Sequence, residues 1–220
     1  MLLAVDTSST QMGLALYDGA QVVAEYAWRS AQRHTVELAP AIADLLVRCG
    51  LSMEAVQALG VALGPGSFTS LRVGLALVKG LALARHIPLI GIPTLDILAN
   101  AQPVSKLPLA AAIQAGRGRF ALGWYKGSRK GWQAQGDARV VTLDALLGEL
   151  QSPCVVCGEF PAEVRQQILN QESARLASPA GSVRRPAVLA ELAWARWQNG
   201  DVDDEASLAP IYLHVAEPIQ

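Results

Sequence analysis

The sequence predicts an α/β protein with two related subdomains, on three observations. Short apolar runs bounded by turn signals alternate with longer runs of helical period, the pattern of strands packed against helices. Two polar turns, Asp6-Thr7-Ser8-Ser9 and Gly64-Pro65-Gly66-Ser67, each leave an apolar strand. The second also opens a helix, a setting in which backbone amides point outward toward an anion or a close-packed backbone. A segment with two prolines, Gln102 to Pro108, reads as a linker and divides the 220 residues into 1–101 and 108–220.

Leu2 to Val5 is continuously apolar, as in a strand buried on both faces. Gly13 to Tyr17 is a second strand, Asp18-Gly19 a hairpin turn, and Gln21 to Trp28 the returning third strand. Thr35 is the expected N-cap of a helix carrying Leu38, Ile42, Leu45, Leu46 and Cys49, with Gly50 as its stop. Pro40 either kinks that helix or marks its first turn. Ala58 to Leu63 is the fourth strand. Thr69 or Ser70 caps a helix from Leu71 to about Arg85, Pro88 to Ile92 is the fifth strand, and Thr94 caps a short helix ending at Asn100. Beyond the linker, Leu109 to Ile113, Phe120 to Lys126, Arg139 to Val141 and Cys154 to Val156 read as strands. Thr142 to Leu150 and Ala162 to Asn170 read as helices. Pro186 suits the first position of a last helix that stops at Asn199-Gly200, and Ala209 to Leu213 is a terminal strand or extended tail. Three strands followed by alternating helix and strand is the order of one ribonuclease H-like half, and actin-like ATPases and sugar kinases pair two such halves.

Apolar residues make up 51% of the chain and charged residues 17%, enough to bury a sizeable core and rich enough to suggest surface covered by another chain. A net charge of −1 gives no global attraction to nucleic acid or to an anionic membrane. Three cysteines do not form a disulfide framework. The opening Met1-Leu2-Leu3-Ala4-Val5-Asp6 reads as a strand and not as a signal peptide. No apolar run is long enough to span a membrane, so a cytoplasmic protein is expected.

The run Leu71 to Ala84 contains Arg72 and Lys79 and is otherwise Leu, Val, Ala and Gly all round, so it must be covered on more than one side. Ala76, Gly80 and Ala84 form a smooth row that lets another helix approach closely. Cover by the chain's own sheet and first helix, and cover by a second protein chain, both fit this pattern. Gly74 and Gly80 each cost about 1 kcal/mol relative to Ala in a helix, a cost that close packing would offset.

The catalytic inventory is thin. His34, His86 and His214 form no metal-binding pair on one helix face. Cys154 and Cys157 have CxxC spacing, but residues three apart on a strand face opposite ways, which favours two buried thiols. There is no nucleophile elbow, no Walker lysine and no nucleophile–base arrangement for a peptidase. Asp6, Thr7 and Ser8 with Gly64, Gly66 and Ser67 make a vestigial phosphate loop. Asp6 either holds hydrated Mg²⁺, as in ATPases of this scaffold, or caps its own turn. A catalytic reading wants a second carboxylate opening the second half, where Gln114 stands instead. Arg117, Arg119, Lys126, Arg129 and Lys130, interleaved with Trp124 and Trp132, read as a solvated hairpin more readily than as an RNA contact.

Several motifs carry a family resemblance. They are Leu3-Ala4-Val5-Asp6-Thr7-Ser8, His34-Thr35 ahead of Pro40, Gly64-Pro65-Gly66-Ser67-Phe68-Thr69 with Arg72 and Gly74, Lys79-Gly80-Leu81-Ala82, Gly91-Ile92-Pro93-Thr94-Leu95 and the tail Pro210-Ile211-Tyr212-Leu213. The chain resembles the TsaB (YeaZ) family, densely over the first hundred residues. The resemblance implies the ASKHA fold and a role in making N6-threonylcarbamoyladenosine at position 37 of tRNAs that read ANN codons. It implies a non-catalytic subunit that supports the catalytic TsaD subunit, which transfers the threonylcarbamoyl group from its adenylate to the tRNA adenosine. It also implies the ATPase TsaE as a partner through that complex, and tRNA contacted indirectly. No intrinsic cofactor is implied; ATP or ADP at the interface with the partner and a free homodimer are left open. The implied partner surface lies on the helices at about 35–49 and 70–85, with Leu38, Ile42, Leu45, Leu71, Arg72, Leu75, Ala76, Lys79, Gly80 and Leu83 as its residues. The chain departs from the family at Ser70 (usually Gly), at Gln114, Gly116 and Arg119 (usually Asp, Arg and Glu) and at His214 (usually Arg). The runner-up reading is an active small-molecule kinase or ATPase on the same scaffold.

Overall fold

The computed structural model describes residues 1–31 and 33–213; His214 lies outside them. Leu2–Asp6 (β1), Gln11–Tyr17 (β2), Val22–Arg29 (β3), Ala58–Ala62 (β4) and Leu89–Ile92 (β5) form a sheet in the order β3-β2-β1-β4-β5. His34–Arg48 (α1), Phe68–Arg85 (α2) and Thr94–Asn100 (α3) are its intervening helices. Leu109–Gln114 (β6), Phe120–Ser128 (β7), Gly131–Ala134 (β8), Arg139–Val141 (β9), Cys154–Gly158 (β10) and Ala174–Leu176 (β11) form a second sheet in the order β11-β10-β6-β7-β8, with β9 on β7. Leu143–Glu149 (α4), Ala162–Leu169 (α5) and Pro186–Gln198 (α6) complete the elements.

The two sheets repeat one plan. The leading strand is antiparallel to its hairpin partner and parallel to the strand after the helix, as β1 with β2 and β4 and again as β6 with β7 and β10. A further parallel strand closes each series. This is the ribonuclease H-like order twice over, and the fold is of the ASKHA class. In the second sheet the third-strand position is divided. β9 pairs with Phe120–Leu122 and β8 with Tyr125–Ser128, at the two ends of the long strand β7.

The chain divides into two compact units, Met1–Ile97 with Arg185–Ile211, and Leu98–Arg184 with Tyr212 and Leu213 among the described tail residues. This corrects the division at 101 and 108, because α6 returns to the first sheet. Along β1 the side chains alternate. Leu3 and Val5 join a core with Leu38, Leu45 and Val78 of α1 and α2, whereas Leu2 and Ala4 join one with Leu189, Ala190 and Ala193 of α6. Ala15, Ala4 and Gly60 are direct neighbours across three strands. They make a flat seat for α6, and a Cβ on Gly60 would lie 2.9 Å from the Ala193 methyl. The segment between Gln102 and Pro108 is likewise less free than a linker: the Gln102 carbonyl accepts the Trp132 indole N–H at 3.0 Å, and its side-chain amide donates to Gly181.

Glu25 of β3 anchors the returning helix. Its carboxylate accepts the Ala187 amide in the first turn of α6 and the Arg185 guanidinium, both at 3.0 Å. It thereby caps a helix that lacks a side-chain cap of its own. Burial by itself raises the Glu25 carboxyl, but the bonds from Arg185 and Ala187 outweigh it and hold the group below its ordinary value of 4.5. A depressed carboxylate stabilises the fold above its unfolded-state value, and that contribution disappears as pH falls through the lower folded value. The unfolding temperature of wild type should therefore exceed that of Glu25→Gln at neutral pH and converge on it as the pH falls through the lowered folded-state value of the carboxyl. Thermal melts of both from neutral to acidic pH measure this.

The residues after α6 cover the free edge of β5. Asp203 pairs with Leu89 in an antiparallel bridge and receives the Gly91 amide at 2.7 Å, while Arg196 joins Asp201 and Asp203. Two caps differ from expectation. α1 begins at His34 with Arg33 as N-cap, not Thr35, and α2 begins at Phe68 with Ser67 as N-cap, not Thr69 or Ser70. Neither helix has a side-chain cap bond. Pro40 lies within α1, which continues through it.

Candidate functional site

The residues of the phosphate-loop motif meet, and they bond to one another. The Ser8 amide donates to its own neighbour Asp6 at 2.8 Å, an Asx turn at the end of β1. The Ser67 amide donates to the Ser8 carbonyl at 2.7 Å, and the Gly64 amide donates to the Thr94 hydroxyl at 3.0 Å. The Ser8 and Thr94 hydroxyls share a bond of 2.7 Å, and the Thr7 hydroxyl donates to the Ser70 carbonyl at 2.8 Å. Asp6, Thr7 and Ser8 are at most 1% exposed. A Cβ on Gly66 would run into the Ser8 carbonyl, and one on Gly74 into the Thr7 hydroxyl. A phosphate needs free amides and space; here three amides are spent within the protein and the two turns touch.

The same loop sets the positions of two helices. The imidazole of His34, the first residue of α1, donates from Nε2 to the Ser9 carbonyl at 2.9 Å. Ser70 and Gly74 hold α2 against Thr7. Between the two helix starts lies a groove of about 550 Å³, floored by Leu38 and walled by Thr35, Ala39, Phe68, Arg72, Ala76 and Leu77. Arg72 stacks over the Phe68 ring at 4.0 Å. Phe68, Leu83 and Val36 are 52%, 64% and 59% exposed on these helices.

The expected partner residues separate into two sets. Leu38, Ile42, Leu45, Leu71 and Leu75 are no more than 6% exposed and pack inside the first unit. This corrects their placement on a partner surface, since the sheet already takes those faces. Arg72, Ala76, Gly80 and Leu83 face outward, and Lys79 is half-buried. Gly80 has nothing within 4 Å of its Cβ position. The small-residue row is thus uncovered within the described chain, whereas Gly74 is explained internally.

The remaining candidates disperse. Arg117 and Arg119 lie in the turn before β7, and Arg129 and Lys130 at the hairpin after it, so the basic stretch sits at both ends of a nine-residue strand. The indoles of Trp124 and Trp132 donate to Glu149 and to the Gln102 carbonyl, which ties both rings into the second unit. Gln114 ends β6 as Asp6 ends β1, and it is exposed. Cys154 and Cys157 are buried free thiols, only the first within the main core of the second unit, and burial pushes Cys157 up to about 12. Among the described residues no three His, Cys, Asp or Glu side chains converge as a metal site, and no helix is long and apolar enough to cross a membrane.

Comparison with known proteins decides the family. A model described as TsaD, tRNA N6-adenosine threonylcarbamoyltransferase, matches residues 22–167. The chain is 31% identical to the tRNA threonylcarbamoyladenosine biosynthesis protein TsaB of Bacillus subtilis, over 98% of this chain and 95% of that protein. The chain belongs to the TsaB (YeaZ) family. YeaZ from Pseudomonas aeruginosa has the same fold with a TM-score of 0.77 at 25% identity, over 96% of this chain and 99% of that one. The likeness extends to a tRNA N6-adenosine threonylcarbamoyltransferase of Solidesulfovibrio magneticus, 35% identical over 42% of this chain and 29% of that protein. TsaB-family chains and the transferase are therefore similar in sequence, and the exposed row of α2 is left uncovered by the described residues of this chain.

Proposed function

We propose that this chain is the non-catalytic supporting subunit of a tRNA threonylcarbamoyladenosine-forming complex, and that it binds a TsaD-class transferase subunit through the exposed face of α1 and α2. The observation that carries the reading is the uncovered row of α2, where Gly80 meets nothing within 4 Å. A buried-type surface of Ala, Gly and Leu suits a second helix packed closely against it. A related transferase, built on similar helices, is a natural counterpart. On this reading a TsaE-type ATPase and the tRNA join through the transferase, and ATP or ADP belongs at the boundary between subunits, because the Gly64 and Ser67 amides of the glycine loop are already bonded within this chain.

The kinase or ATPase alternative needs Asp6 to hold Mg²⁺, yet Asp6 is buried in its own turn. It predicts Mg-ATP binding by the isolated chain that Asp6→Ala removes. The test of the proposal is reconstitution. The chain and a TsaD-class subunit from one organism should co-elute, and tRNA modification should fall severalfold or more when the chain is left out. The chain alone should neither modify tRNA nor hydrolyse ATP. Turnover by the isolated chain, or modification indifferent to its presence, would overturn the proposal.

A further inference from the structure

The net charge of −1 conceals an uneven division of charge between the two units. Residues 98–184 hold ten Arg and Lys against six Asp and Glu, whereas the rest of the chain holds eight against thirteen. An excess of cations confined to one unit suits contact with a polyanion.

The excess gathers at one end of the second sheet, where β6 begins and β7 turns into β8. Lys126 is exposed on β7 opposite Gln133, and Arg129 and Lys130 form the exposed tip between Ser128 and Gly131. Exposed Lys106 joins them from the approach to β6, since the Ser105 carbonyl just before it lies where a Cβ on Gly127 would stand. None of these four cations is in an ion pair among the described residues, whereas Arg139 is taken by Glu149 and Arg184 by Glu159. Glu149, the acid that reaches β7, is spent on Arg139 and the Trp124 indole. Glu172 precedes β11, three strands away from β7 in the sheet order.

Guarding the sheet edge does not account for the cluster, because the edge strand β8 itself carries no charge. Stacking on bases does not account for it either. The Trp124 and Trp132 rings are tied into the unit through their indole N–H groups, so neither is free to receive a base. Long cationic side chains without a stacking platform suit phosphates, which are held by charge and carry no sequence information.

Resting on the proposed function, we infer that this end of the second sheet, with Lys106, Lys126, Arg129 and Lys130, grips the sugar–phosphate backbone of the RNA that the complex modifies. The transferase subunit acts on the target nucleoside, and this chain adds a sequence-independent electrostatic contact at a second place.

The test uses the complex with the TsaD-class subunit. A Lys126→Ala/Arg129→Ala/Lys130→Ala variant, an Arg175→Ala control on β11 and wild type are checked by thermal melts and by co-elution with that subunit. tRNA binding to each complex is titrated from about 50 to about 300 mM NaCl. The triple variant should bind on the order of tenfold more weakly at low salt, and its slope of log affinity against log salt should be shallower by about 2–3. Its KM for tRNA in the modification assay should rise severalfold. Lys126→Arg/Lys130→Arg, which keeps the charge, and Arg175→Ala should bind as wild type does. If the triple variant co-elutes and binds tRNA with unchanged affinity and slope, the inference falls and the proposed function stands. The same holds if it loses binding to phosphatidylserine vesicles and keeps its binding to tRNA. Failure of the wild-type chains to co-elute would bring down the proposed function, and the inference with it.

Discussion

Gly80→Leu should abolish measurable pairing with the TsaD-class subunit while leaving the isolated chain at least as stable as wild type. The two effects have opposite signs because they act in different places. Within the chain the new side chain meets open space. The helix also exchanges its poorest non-proline former for a good one, a gain of about 0.5–1 kcal/mol. At the proposed interface the same side chain would stand between Ala76 and Ala84 and push the partner helix away. Loss of a close-packed contact at the centre of an interface costs about 2–4 kcal/mol, or on the order of 100-fold in affinity. Titration calorimetry and a thermal melt read the two effects separately. Unchanged affinity, or a drop in the melting temperature, would contradict the placement of this face.

Gly74→Leu, the same substitution six residues earlier on the same helix, should do the reverse. Here a Cβ runs into the Thr7 hydroxyl. Thr7 is 1% exposed and donates to the Ser70 carbonyl at 2.8 Å, so it has nowhere to go. Moving α2 outward instead would open the core formed by Leu75 and Val78 against Val5 and Val61. Overpacking of this kind costs about 1–3 kcal/mol for small insertions, and a leucine beside fixed backbone should exceed 3 kcal/mol. Chemical denaturation should show a large loss of stability or no cooperative transition. Gly74→Ala should cost measurably less in a Thr7→Ala background, since the two groups share one space. A Gly74→Leu chain as stable as wild type would mean that the loop does not hold α2 as described.

The contrast explains how far the residues could be read in advance. Composition marked both glycines as costly and marked the helix as apolar all round. Which glycine served the inside and which the outside depended on what stood opposite, and that is a matter of tertiary contact. The same holds for the leucines of α1 and α2. Helical spacing identified Leu38, Ile42 and Leu45 as an apolar stripe, and the run from Leu71, with Leu75, read as apolar all round, but neither pattern reveals which face the sheet takes. The phosphate-loop motif was legible as a pair of turns. That the Gly64 and Ser67 amides are bonded follows from Thr94 and Ser8, which come from two other segments.

The short strands β8 and β11 escaped for a different reason. Each is four residues or fewer, and each pairs along the edge of a longer neighbour, β8 on β7 and β11 on β10.

By itself the sequence determined the local elements, the repeated strand–helix order and the family, since all three are written in periodicities and contiguous motifs. The tertiary structure alone decided that α6 closes the first unit, that Glu25 caps it, and that the row through Ala76, Gly80 and Ala84 is left bare. The physical reason is range. Backbone preference and side-chain period act over a few residues, whereas burial is settled by whichever distant surface arrives, as when Ala193 meets the flat seat of Ala15, Ala4 and Gly60.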